Sequence, residues 1–316
     1  MKYERADLSK VKTYPVSVRK SKENVGKTAR PVQAGASVKD LLESLPHVLS
    51  ADILRHVAQR IAEAHINQRP VLMMMGGHVI KCGLGPLIID LFRQGIVSAV
   101  AMNGAASIHD FEMAMHGETS EDVAKAINDG SFGMAEETGA FMNEAISSGH
   151  AAGLGMGESI GKAILERHFP HAQYSVLAQA HGAGIPAVVA VAIGTDIIHQ
   201  HPKADGAALG ATSHRDFRLL ASVIGNLEGG VVLNVGSAVV LPEVFLKALS
   251  VARNLGYTVE RFTAVDMDMI GHYRPRVNVL DRPTQLGGEG FRLVGHHEIM
   301  FPLLAAAVKV ALGDGH

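Results

Sequence analysis

Tryptophan is absent from the 316 residues, and aromatic residues make up only 5% of them. That scarcity disfavours a base-stacking platform for single-stranded nucleic acid, which needs exposed aromatic faces. There is one cysteine, Cys82; it excludes an internal disulfide framework and suits a reducing cytoplasm. No apolar run approaches the roughly 20 residues of a membrane helix. The polar, basic N-terminus lacks the apolar core of a signal peptide. Neither sign of charge dominates, with 29 Lys and Arg against 31 Asp and Glu, so electrostatics gives no argument for nucleic acid or an anionic membrane as partner. What the chain does have is apolar residues, 47% of it, enough at this length for a large core in one α/β domain or two.

Residues 1–36 are basic, with Lys10, Lys12, Arg19, Lys20, Lys22, Lys27 and Arg30. They read as an N-terminal arm that crosses the surface or a neighbouring subunit, ahead of a single Rossmann-like α/β domain at 37–316. Ser37 with Asp40 predicts a capping box for a helix over 38–44, which Pro46 stops. Ser50 is expected to cap a second helix over 51–64.

The stretch from Val71 to Asp110 organises the rest. Val71-Leu72-Met73-Met74-Met75 is a short apolar run bounded by Gly76-Gly77, the pattern of a strand buried on both faces. After His78-Val79-Ile80-Lys81-Cys82-Gly83, a helix is expected over 87–94 and a second strand over 96–102. The small-residue loop Asn103-Gly104-Ala105-Ala106-Ser107 then leads into a helix from Ile108. Strand, turn, helix, strand is a βαβ unit, which makes parallel sheets and binds ligands beyond the carboxyl ends of the strands. Glycine at both ends would admit a phosphate or carboxylate to bare backbone amides, and it would equally serve tight turns alone.

Further strands are expected over 187–193 and 229–235, with candidates at 258–265 and 276–280, and a long closing helix over 299–312. Thr195-Asp196, past the third strand, suits a ribose or substrate hydroxyl, or caps a helix. Gly236-Ser237-Ala238 is a further small-residue loop. The link 147–157, followed by Gly161-Lys162, fits neither nucleotide motif: Met156 and Ala163 break the phosphate-loop pattern, and Glu158 stands where the dinucleotide fingerprint needs its third glycine. Histidines are numerous and several are paired, His199 with His201 and His296 with His297. On an extended backbone the first pair would point one way and could share a metal.

Six features in order resemble the deoxyhypusine synthase family. They are 77–83 (Gly-His-Val-Ile-Lys-Cys-Gly), 103–106 (Asn-Gly-Ala-Ala), Ile185-Pro186 into a strand ending Thr195-Asp196, 216–220 (Asp-Phe-Arg-Leu-Leu) before 229–232 (Gly-Gly-Val-Val), 236–240 (Gly-Ser-Ala-Val-Val), and 301–304 (Phe-Pro-Leu-Leu). The resemblance implies a Rossmann-like, mostly parallel sheet with helices on both faces. It also implies a homotetramer, or at least a dimer, that binds NAD at subunit interfaces. Such enzymes oxidise spermidine and transfer its butylamine group through an imine on a lysine. NAD binding would fall on Gly77, Lys81, Asn103, Gly104, Ala105, Thr195 and Asp196, joined by Gly236 and Ser237 from the fourth loop. The region of the family's imine-forming lysine falls on 281–290, which has no lysine, and its substrate-binding histidine falls on Glu243. Without an amine there is no Schiff base, so the expectation is an NAD-binding oxidoreductase or transferase for another small molecule, and not a deoxyhypusine synthase. The alternatives are a non-catalytic nucleotide-binding oligomer and a metal-dependent hydrolase. Lys81, His109 and Glu243 are the catalytic candidates, with Asp196 beside them, all expected to face one crevice.

Overall fold

The computed structural model describes residues 3–313. Six strands form one sheet: β1 (Val71–Met75), β2 (Ala99–Asn103), β3 (Ala187–Ala190), β4 (Val231–Val235), β5 (Thr263–Asp268) and β6 (Glu289–Val294). Their spatial order is β3-β2-β1-β4-β5-β6, and every pairing is parallel. All five residues of β1 are buried, as its unbroken apolar run requires of a strand covered on both faces.

The alternation of side chains along β1 divides the core. Val71, Met73 and Met75 pack with Leu54, Ile88, Phe111, Met142 and Leu304. Leu72 and Met74 pack with Leu220, Ile224, Phe245 and Val279 on the other face. The helices between β1, β2 and β3 serve the first face, and those between β3 and β6 serve the second. With crossovers of one hand, reversing the direction of strand addition moves the helices to the opposite face. The reversal falls between β1 and β4, where parallel sheets commonly open a crevice beyond the carboxyl ends of the strands.

Several local expectations need correction. Residues 276–280, expected as a strand, form a π-helix over Arg276–Asp281; burial of Pro275, Asn278 and Val279 has helical spacing, not period two. The true last strand, β6, was missed because it lies at the sheet edge with only Leu293 buried, so it shows no apolar run. Ser50 does not cap its helix, which begins at Leu49 behind Val48 with no side-chain cap. The capping box of Ser37 and Asp40 forms as expected. The glycine-rich link shortens to 152–155, between the helices Glu136–Ala151 and Met156–Glu166. Residues 3–36 are exposed apart from Lys27, and this segment is tied down where His47 N donates to Lys27 O and Arg30 N to Ser44 O, both at 2.9 Å. No helix among the described residues is long and apolar enough to cross a membrane.

Candidate functional site

Neither small-residue stretch of the central unit is an open loop. Gly77–Lys81 forms a single helical turn directly after β1. Asn103 Oδ1 accepts from Ala106 N at 2.9 Å, so Asn103 caps a helix, Gly104–His116, that starts at the last residue of β2. Two glycines are required by close approach of other protein groups. A Cβ on Gly76 would lie 2.0 Å from Gly236 O, and one on Gly104 would lie 2.0 Å from Asp196 Oδ2.

Beside these elements lies a cavity of ≈ 760 Å³, walled by the helix Gly104–His116, by 118–138, by Thr195–Ile197 and by Lys81. Its size is in the ~300–1,000 Å³ range of small-molecule sites. Five carboxylates, Glu112, Glu118, Glu121, Glu137 and Asp196, face one lysine across it.

The helix carries His109 into the wall. His109 Nδ1 lies 2.7 Å from Thr119 Oγ1. Thr119 donates to Glu112 Oε2 at 2.5 Å, and Thr138 donates to Glu112 Oε1 at 3.0 Å. Burial, with added repulsion from Lys81 and His78, lowers the His109 pKa to about 4, so its ring is neutral at neutral pH. On the opposite wall Asp196 has a side chain only 5% exposed. Its Oδ2 has no hydrogen-bond partner among the described residues, and burial raises its pKa to about 6. His199 Nδ1 accepts from Gly194 N and Asp196 N at 3.1 and 3.3 Å. That leaves the His199 Nε2, itself buried and unpartnered, 3.8 Å from Asp196 Oδ2.

Lys81, Ala105, His109, Thr195 and Asp196 therefore meet at one cavity, and Gly77 abuts the His109 ring. Gly236, Ser237 and Glu243 do not line it. Ser237 is buried and its Oγ accepts from Leu241 N at 3.3 Å. Glu243 is bound by Lys247, by Arg274 at 3.3 Å and by Asn278 at 2.8 Å, so it does not share the crevice. Sequence reading missed Glu112, Thr119 and Thr138. Only the first carried a signal, since it stands three residues after His109 and so on the same helix face.

A second polar group, also missed, lies where β4, β5 and β6 end. Asn234, Asp266 and Arg292 are in register across the three strands. Asn234 donates to Asp266 Oδ1 at 3.0 Å, and Arg292 Nε lies 3.5 Å from Asp266 Oδ2. Asp268 is flanked by His297 at 3.6 Å and His272 at 3.7 Å. Alternating acids in an apolar strand, Val265-Asp266-Met267-Asp268, were the available clue.

The paired histidines do not converge. His199 lies in a 3-10 turn over Ile197–Gln200, and His201 Nδ1 accepts from Lys203 N at 3.2 Å. Among the described residues, no three of His, Cys, Asp and Glu are grouped to hold a metal ion.

No protein-family model matches the sequence, and none of the curated proteins does. Chains of solved structures do match in fold. A candidate LOR/SDH protein from Methanococcus maripaludis S2 superposes with a TM-score of 0.53 at 15% identity, covering 84% of this chain and 71% of its own. A candidate deoxyhypusine synthase from Entamoeba histolytica superposes with a TM-score of 0.52 at 11% identity, covering 90% and 96%. This chain has a deoxyhypusine synthase-like fold. AgrE, in a ternary complex with ornithine and NAD+, has a TM-score of 0.52 at 17% identity over 83% of this chain; the match spans 33% of AgrE. At these identities the likeness is one of fold alone.

The tight strand ends of the sheet can be probed directly. Gly104→Ala should lower stability by ~1–3 kcal/mol, because the new methyl must displace the Asp196 carboxylate. Thermal unfolding measures the loss, and an unchanged midpoint would mean that Asp196 moves freely.

Proposed function

We propose that this protein is an NAD-dependent oxidoreductase or transferase acting on a small, positively charged molecule, and that it does not make deoxyhypusine. The observation that carries the reading is the cavity at the carboxyl edge of a parallel sheet, where Lys81, His109 and Asp196 converge. The fold likeness to AgrE, seen with NAD+, supports the choice of nucleotide. The excess of carboxylates in the wall supports a cationic substrate.

The residues fit a dinucleotide through their side chains. An unpartnered buried carboxylate oxygen, Asp196 Oδ2, has the chemistry to accept ribose hydroxyls, and the exposed Lys81 ammonium suits the pyrophosphate. The glycines after β1 and β2 are filled by protein and provide no bare cradle. Bound there, the dinucleotide would supply a hydride acceptor; the chain's part is to orient the substrate, exclude water and take a proton.

The test is calorimetric titration of nucleotide-free protein with NAD, with NADP and adenine nucleotides as controls. One site per chain is expected, followed by nicotinamide reduction with a panel of small amines. Lys81→Ala should weaken NAD about tenfold if its ammonium holds a phosphate; unchanged affinity would remove Lys81 from the site. An assembly of two or four chains belongs to the same proposal. Tyr3, Leu8, Tyr14 and Val16, each at least 65% exposed on the N-terminal arm, offer apolar surface to a second copy. Light scattering of the chain with and without residues 1–36 checks it, and an unchanged mass would exclude the arm.

A further inference from the structure

We propose, on the reading that this cavity is a substrate site, that His109 is its proton acceptor through Nε2, and that Thr119, Glu112 and Thr138 are positioning residues that fix which ring nitrogen is free.

The argument is one of proton count. A threonine hydroxyl has a single proton, and an ionised carboxylate only accepts. Thr119 spends its proton on Glu112 Oε2, as Thr138 does on Oε1. At Thr119 Oγ1 only lone pairs remain for His109 Nδ1, 2.7 Å away. Nδ1 therefore carries the hydrogen, and Nε2 carries the lone pair. The opposite tautomer would take the Thr119 proton from Glu112, whose Oε2 is 4.0 Å from the ring and too far to replace it. Among the described residues Nε2 has no hydrogen-bond partner, and it is not closed off from the cavity that His109 lines.

The surroundings keep that lone pair free. Burial opposes a positive charge on the ring most, and Lys81 and His78, from the turn after β1, add to it. Glu112 is on the same helix, and Glu137 and Asp196 stand in the facing walls. The ring is neutral well below neutral pH. Thr119 belongs to the segment after the helix, so the relay is complete only when that segment packs against Glu112. With a nicotinamide bound as hydride acceptor, the substrate would present a carbon bearing a hydroxyl or amino group, whose hydride would leave with its electron pair. The heteroatom gives its proton to Nε2, the carbon–heteroatom double bond forms, and the imidazolium returns the proton to water.

The test needs no substrate. Diethyl pyrocarbonate acylates neutral, accessible imidazole nitrogens, and peptide mass spectrometry resolves each histidine of the full chain. Between pH 7 and pH 5 free N-acetylhistidine, added as the reference, should slow roughly 20-fold. His109 should keep its rate within about twofold. In 15N spectra its Nε2 should be the pyridine-like nitrogen; Thr119→Val should mix the tautomers, and Thr119→Ser should restore them. A pyridine-like Nδ1, or a His109 whose reactivity falls with that of the reference imidazole, overturns the proposal. A His109 unreactive at both pH values in folded protein does so too. Both readouts are taken without nucleotide, so a protein with this tautomer that fails to bind NAD would overturn the cofactor reading alone. With a turnover substrate, His109→Gln should lower kcat ~10²–10⁴-fold at unchanged NAD affinity.

Discussion

Asp216→Ala should cost on the order of 3–5 kcal/mol of folding stability, the largest loss expected from any single substitution here. Asp216 lies in the helix Gly206–Gly225 with 2% exposure. Its Oδ2 accepts from Gly157 N at 2.8 Å and from Val189 N at 2.7 Å. One carboxylate oxygen thus fastens the first turn of one helix and the middle of β3 to another helix. Alanine would strand both donors in a dry interior and leave a cavity. Asparagine keeps one accepting oxygen and should cost less. The pH dependence has a definite sign. Burial, the leading cause, raises the Asp216 pKa from the usual 3.8 to about 7, against the pull of the backbone N–H groups. Between about pH 4 and 7 the native state therefore binds a proton that the unfolded chain has lost, and stability falls as pH rises through that window. Denaturant midpoints from pH 4 to 8 check this. The slope should flatten in Asp216→Asn, and an unaltered slope there would assign the titration to another group, with Asp110, raised to about 6, as first candidate.

Asp216 also illustrates what was legible in the sequence. Buried strands announce themselves by composition, and β1, β2, β3 and β4 were found because their runs are apolar but for Asn103 at the end of β2 and Asn234 in β4. That the strands run parallel followed from their connections and from the family resemblance, and six features spread over some 230 residues located the fold where no single one was distinctive; their spatial order was read only from the folded chain. The edge strand β6 and the π-helix were not legible, since the first buries too little and the second carries valines at positions that tertiary packing made helical. Asp216 itself was read as part of a motif, and its work is to tie two remote amides.

The candidate site divides along the same line. Lys81, Ala105, His109, Thr195 and Asp196 were chosen because they stand at strand ends, and strand ends of a parallel sheet share one edge. Glu243, Gly236 and Ser237 stand at strand ends too, yet the sheet is wide: β4 lies on the far side of β1 from β2 and β3, and the cavity opens beside the latter two. Thr119 and Thr138 were out of reach for a different reason. They enter the site from a segment whose path no periodicity describes, and only the folded chain shows that Glu112 collects both hydroxyls.

Asp196 offers the sharpest separation between a residue kept for folding and one kept for a ligand. Its buried Oδ2 has no partner among the described residues, and burial, outweighing the pull of the Thr195 side chain, raises its pKa to about 6, so in the free protein the ionised carboxylate carries a net burial cost. Asp196→Asn should therefore leave thermal stability at neutral pH unchanged or higher, the opposite of Asp216→Ala. If ribose hydroxyls donate to Oδ2, they form hydrogen bonds to a charged group worth about 1.5–3 kcal/mol. Loss of that charge should then weaken NAD roughly 10–100-fold. The pH dependence follows with its sign: the ionised form accepts the hydroxyls, so affinity should fall as pH drops through about 6, whereas the asparagine variant should show a flat profile. Calorimetry at pH 5, 6, 7 and 8 on both proteins reads the two effects together. A variant that is both stabilised and weakened in binding places Asp196 on the nucleotide. Equal affinities with parallel pH profiles would move the nucleotide away from β3 and leave the unpartnered carboxylate facing the cationic substrate instead.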